Sequence, residues 1–129
     1  MENKCYFFED TKLTWEKAKL GCSDKFVGGG KLYEPRSMTT FKKIYKVAKP
    51  ILSLSSTMAA WLGVDDLAQE GSFAYSSSGL PFSLEVDWSS GWGRKGSSNN
   101  CILVAYDPPK WLDYSCQDEW RSICEPMFQ

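Results

Sequence analysis

The spacing of apolar and polar positions changes along the chain, and each change marks an element. Cys5-Tyr-Phe-Phe8 opens as an aromatic strand, and Glu9-Asp10-Thr11-Lys12 reads as a turn. Thr14 suits a helix N-cap, and behind it Trp15, Ala18 and Cys22 recur at i, i+3 and i+7, which predicts a first helix with Cys22 on its buried side. Gly28-Gly29-Gly30 closes that region. Ser37 or Thr39 can cap a second helix, whose apolar face is Phe41, Ile44, Tyr45 and Ala48. Lys42, Lys46 and Lys49 line its opposite face with Lys43 beside them, and Pro50 is expected to stop it.

The remainder reads as strands and one long loop. Trp61-Leu-Gly-Val64 predicts a central strand, bounded by the polar loop Asp65 to Gly71, and Ser72-Phe-Ala-Tyr-Ser76 alternates like a half-buried strand. Ser77 to Asn100 is rich in Ser and Gly with little regular periodicity, and so long a stretch in a compact domain is usually functional or disordered. Cys101-Ile-Leu-Val-Ala-Tyr106 is a continuous apolar run ended by Asp107-Pro108-Pro109, hence a buried strand. Trp111 to Cys116 follows at hairpin distance and brings Cys101 and Cys116 onto facing strands, within disulfide reach. Arg121-Ser-Ile-Cys124-Glu is a last short strand.

Composition narrows the function classes. A chain of 129 residues, 43% hydrophobic and 15% aromatic, is expected to form a single domain over 1–129 with one core, and no apolar run is long enough to span a bilayer. Five cysteines imply an oxidising compartment, so a secreted or extracellular domain is expected. There is no histidine, which removes the commonest general base and the Ser-His and Cys-His pairs. The adjacent acids Asp65-Asp66 and Asp118-Glu119 are better read as solvated loop charges than as a catalytic pair, so no enzyme is expected. A net charge of -1 argues against nucleic acid as a partner. Residues 1–50 carry 11 Lys/Arg against 6 Asp/Glu, and residues 51–129 carry 4 against 10, so the acidic half is the one that could attract a cation.

Four cysteines in this order, with Trp61-Leu-Gly-Val64 before and Trp111-Leu-Asp113 between the last hairpin's cysteines, resemble the C-type lectin-like domain. The resemblance covers nearly the whole chain. It implies an α+β fold in which two helices flank small antiparallel sheets, with a long ligand-binding loop region and disulfide staples. It also pairs Cys22 with Cys124, alongside Cys101 with Cys116. Cys5 is then the odd, unpaired thiol; the family's partner for it lies upstream, and a disulfide-linked dimer through Cys5 or a free thiol are the other readings.

The same resemblance sharpens the metal chemistry. Sugar-binding members hold one calcium with an E-P-N or Q-P-D triplet, an acid before the third core cysteine, and W-N-D. At the triplet stand Trp92-Gly93-Arg94, before the cysteine stand Asn99-Asn100, and W-N-D is Trp111-Leu112-Asp113. Calcium wants six to eight oxygens, so a sugar-type site is expected to be absent or very weak. Asp66 and Glu70 match two acids of a second family calcium site, with Asn99 and Asn100 near; calcium is possible there and not required. Trp92 and Arg94 are residue types common at binding hot spots, so the ligand residues are expected to be Trp92, Arg94, Asn99, Asn100 and Asp113, with Trp88 either core or loop.

Three readings follow. The leading one is a non-catalytic recognition module taking a glycan or protein ligand through the long loop, largely without calcium. A calcium-dependent lectin with a degenerate site and a structural matrix, mineral or ice-associated protein are the alternatives. The lysine face of the second helix is either a solvated surface or a patch for sulfated glycan or anionic lipid.

Overall fold

A computed structural model of the chain describes residues 5–88 and 100–128. Among these, seven strands and two helices occur in the order β1 (Phe7–Leu13), α1 (Trp15–Ser23), β2 (Gly30–Leu32), α2 (Met38–Leu52), β3 (Ala60–Asp65), β4 (Ala74–Tyr75), β5 (Cys101–Ala105), β6 (Lys110–Tyr114) and β7 (Trp120–Pro126). The α+β class with flanking helices holds. The strands form one mixed sheet rather than several small antiparallel ones, in the order β1-β7-β3-β5-β6, because β3 and β7 pair in parallel through Ala60 with Arg121 and Trp61 with Ser122.

Both helices start where their caps predict. The Thr14 hydroxyl accepts from Lys17 N at 3.4 Å, and Ser37, rather than Thr39, accepts from Thr40 N at 3.3 Å. Helix α1 lays Trp15, Ala18 and Cys22 on one sheet face with Leu32, Trp61, Leu103, Leu112 and Cys124. Helix α2 lays Phe41, Ile44, Tyr45, Ala48 and Leu52 on the other, with Leu62, Val64, Ile102, Val104, Trp111 and Ile123. Two indoles then lock α1 and β1 to the central strand: Trp15 Nε1 donates to Leu62 O at 3.0 Å, and Trp61 Nε1 donates to Leu13 O at 2.9 Å.

Three local expectations give way to tertiary context. Glu9 to Lys12 is not a free turn but part of β1, where the register against β7 shifts between Glu9 and Leu13. The turn chemistry survives inside the irregularity: Thr11 N donates to Glu9 Oε2, and Asp10 O accepts from Arg121 Nε. Pro50 does not end α2, which runs two residues further. In the last turn the missing N–H forfeits only one bond, and continuing seats Leu52 in the core before Ser53 closes the helix at φ 54°. The half-buried strand read over 72–76 shortens to β4, two residues long.

Both disulfides are formed. Cys22–Cys124 joins residues 102 apart, and Cys101–Cys116 joins residues 15 apart. Cys5 is exposed and lies outside both. No described helix is long and apolar enough to cross a membrane.

Gly63 marks a close approach of two chain segments. Its N–H donates to Tyr33 O at 2.8 Å, and its carbonyl accepts from Ser76 N at 2.9 Å. A Cβ there would sit 2.7 Å from Leu32 O and 2.9 Å from Glu34 Cγ, so only glycine fits without moving backbone. Gly21, in α1, has nothing nearer than 4.0 Å. We therefore expect Gly63→Ala to lower unfolding free energy by about 1–3 kcal/mol and Gly21→Ala to leave it unchanged or raise it by up to about 1 kcal/mol, read from urea midpoints.

Candidate ligand and cation site

The sheet's register assembles the candidate site. Asp66, just past β3, donates its N–H to Asn100 O at 3.0 Å, while Asp113 of β6 faces Ile102 of β5. Side chains two apart on a strand share a face, so Asp66, Asn100 and Asp113 come together at one end of the α2 side of the sheet. Glu70 joins them from the loop after β3.

Burial sets the electrostatics. Asp66 is 3% exposed and Asp113 fully buried. Asp66 Oδ2 accepts from Gly71 N at 2.8 Å, whereas its Oδ1 is buried and meets no donor among the described residues. Desolvation lifts the Asp66 carboxyl above its ordinary value, the Gly71 N–H opposes the rise, and the Asp113 charge adds to it. Glu70, though exposed, is also raised, by desolvation first and then by the Asp66 carboxylate beside it.

Of the expected residues, Asp66, Glu70, Asn100 and Asp113 are brought together, while Trp92, Arg94 and Asn99 lie outside the described residues. The donors are all oxygens, and a buried carboxylate oxygen without a donor is what a hard cation would satisfy, so they suit calcium in kind. In number they fall short: among the described residues no three acidic, histidine or cysteine side chains converge as metal ligands. Leu112 adds no donor to this cluster. The alternation of β6 sends Asp113 to one face and Leu112 to the other, where it is 5% exposed inside the α1-side core.

The approach to the long loop is more ordered than its composition suggests. Phe82, Leu84, Val86 and Trp88 are half-buried, and the intervening Ser83, Glu85 and Asp87 are exposed. This period-two signal was present in the sequence and stands against the expectation of little periodicity there. Phe82 stacks on Trp111 at 5.3 Å, Trp88 packs against Phe73 at 5.3 Å, and Asp87 O accepts from Trp111 N at 2.9 Å. Trp88 therefore serves the core. Sequence reasoning also missed Glu34, buried at 2% exposure and held by Lys31 Nζ at 3.0 Å, Arg36 Nη2 at 3.2 Å and Ser77 N at 2.8 Å. Its only signal was one acid in the apolar stretch Leu32-Tyr-Glu-Pro35.

With this geometry in place, comparison with known proteins identifies the class. The Lectin C-type domain model matches residues 11–126, and the chain belongs to that family. C-type lectin domain family 3 member A of Bos taurus is 31% identical over 123 residues, 95% of this chain and 59% of that protein. The tetranectin-like protein of Carcharhinus perezii is 30% identical over 126 residues, 97% of this chain and 72% of that one. The solved mouse scavenger receptor C-type lectin carbohydrate-recognition domain superposes with a TM-score of 0.75 at 26% identity, over 95% of this chain and 87% of that chain. The chain spans about three fifths of the length of the bovine relative.

The raised Asp66 and Glu70 carboxyls carry a sign. A folded-state value above the unfolded one makes these groups least favourable to folding at neutral pH, and the deficit is recovered as pH falls through the raised values. In chelator, Asp66→Asn should raise unfolding free energy at pH 7 by about 1 kcal/mol relative to the parent, and the gain should vanish by about pH 4. Parallel denaturation curves at the two pH values check this.

Proposed function

We propose that this chain is a non-catalytic extracellular recognition module, taking a glycan or protein ligand through the long loop Gly79 to Asn100 without needing a sugar-type calcium site. The observation that carries the reading is the shortage of converging acidic donors among the described residues. Where W-N-D would offer an amide oxygen, an apolar side chain is packed in the core on the far face from Asp113. Trp92-Gly93-Arg94, in place of the oxygen-bearing triplet, points the same way. In this reading Trp92, Arg94, Asn99, Asn100 and Asp113 are the ligand-binding residues. Five cysteines, two disulfides and the family relationship support an oxidising, extracellular setting. The absence of histidine and the family relationship support a non-catalytic role.

One observation favours a second reading. The donor-less Asp66 Oδ1 beside Glu70 and Asn100 suits a calcium ion, which would make the domain a calcium-dependent lectin with a degenerate site. The two separate on a glycan array run with millimolar calcium and again with chelator. Our reading expects the same glycans bound in both conditions, and an at least roughly tenfold loss for Trp92→Ala with Arg94→Ala at unchanged melting temperature. Binding that disappears on chelation establishes the second reading instead.

A further inference from the structure

A groove lies at the other end of the β5–β6 hairpin from Asn100 and Asp113. Lys42, Lys46 and Lys49, at i, i+4 and i+7 of α2, form one wall, and the β5–β6 turn Asp107-Pro108-Pro109 forms the other, enclosing about 600 Å³. Three ammonium groups are thus spread over about 10 Å of helix axis along a single slot. Pro108 and Pro109 give the turn wall apolar rings, while Tyr45 is buried at 2% exposure.

The walls are pre-set. Tyr45 Oη donates to Tyr106 O at 2.6 Å, tying the turn to the helix, and Tyr106 N donates to Ser55 O at 3.0 Å. Tyr106 holds φ 73°, an unusual backbone for a non-glycine residue that these two bonds sustain. The one acid in the groove is Asp107, whose Oδ2 lies 3.4 Å from Lys49 Nζ; at 38% and 68% side-chain exposure this pair is weak and exchangeable. The groove therefore keeps a positive excess, while the acidic group Asp66, Glu70 and Asp113 lies at the other end of β5 and β6.

We propose that this groove binds a sulfated glycosaminoglycan chain, its sulfates on the three lysines and its sugar rings against the two prolines. A linear polyanion follows a slot; a bilayer is flat and cannot enter one. The exposed apolar residues of α2, Val47 and Ile51, lie roughly 100° or more around the helix from the lysine stripe, so they do not adjoin it for insertion.

The test uses a heparin-derived decasaccharide as probe, with calorimetry at two salt concentrations. Lys42→Gln, Lys46→Gln and Lys49→Gln together should weaken binding by about tenfold or more and flatten its salt dependence. The equal-charge control Lys12→Gln, Lys17→Gln and Lys19→Gln, in β1 and α1 and outside the groove lining, should change it less than about twofold. Asp107→Asn should tighten binding about threefold, and Asp24→Asn, remote in the chain, should not. Absence of binding by the parent chain overturns the proposal, as does equal loss in both lysine triples, which would mean net charge alone. Phosphatidylserine vesicles or inorganic sulfate binding as tightly, with the same lysine dependence, would assign the groove to a membrane or to a small anion and also overturn it.

Discussion

The structure depends on strand β7 being held on both edges at once. Its Cys124 pairs in register with Phe7 of β1 on one side and Leu32 of β2 on the other, while Arg121 and Ser122 pair with β3. Cys124 is also bonded to Cys22 of α1. One strand from the end of the chain thus collects its first strand, its first helix and its centre. Such long-range pairing is costly in chain entropy, and a cross-link closing a loop of 102 residues' separation removes much of that freedom from the unfolded state.

Once β7 anchors the sheet, the rest sorts by face. Helix α1 takes one side and α2 the other, so β3 and β5 are buried on both faces, and Gly63 must be small where the β2 segment crosses it. The same register separates charge. The hairpin of β5 and β6 carries Asn100 and Asp113 at one end and the Asp107-Pro108-Pro109 turn at the other, so an acidic cluster and a lysine-walled groove stand at opposite ends of one hairpin.

Much of this was legible in the residues. Thr14 and Ser37 as caps, the faces Trp15, Ala18, Cys22 and Phe41, Ile44, Tyr45, Ala48, and the buried runs 61–64 and 101–105 all carry local signals that burial confirms. The misreadings share a cause. Glu9 to Lys12 and Pro50 bear genuine turn and breaker chemistry, but pairing with β7 and the burial of Leu52 outweigh it. In residues 82–88 the alternating pattern was masked by the Ser and Gly around it.

The sequence by itself determined the secondary elements, the family and the kind of chemistry on offer: oxygen donors, lysines, aromatic loop residues and no histidine. Those properties are local, set by spacing and side-chain type. Only the tertiary structure decided that Leu112 is core, that Asp66 Oδ1 is buried without a donor, and that Lys42, Lys46 and Lys49 face a proline turn from 60 residues away. Burial and charge meet across strands and helices distant in the chain, and register, which no single segment specifies, sets which residues meet.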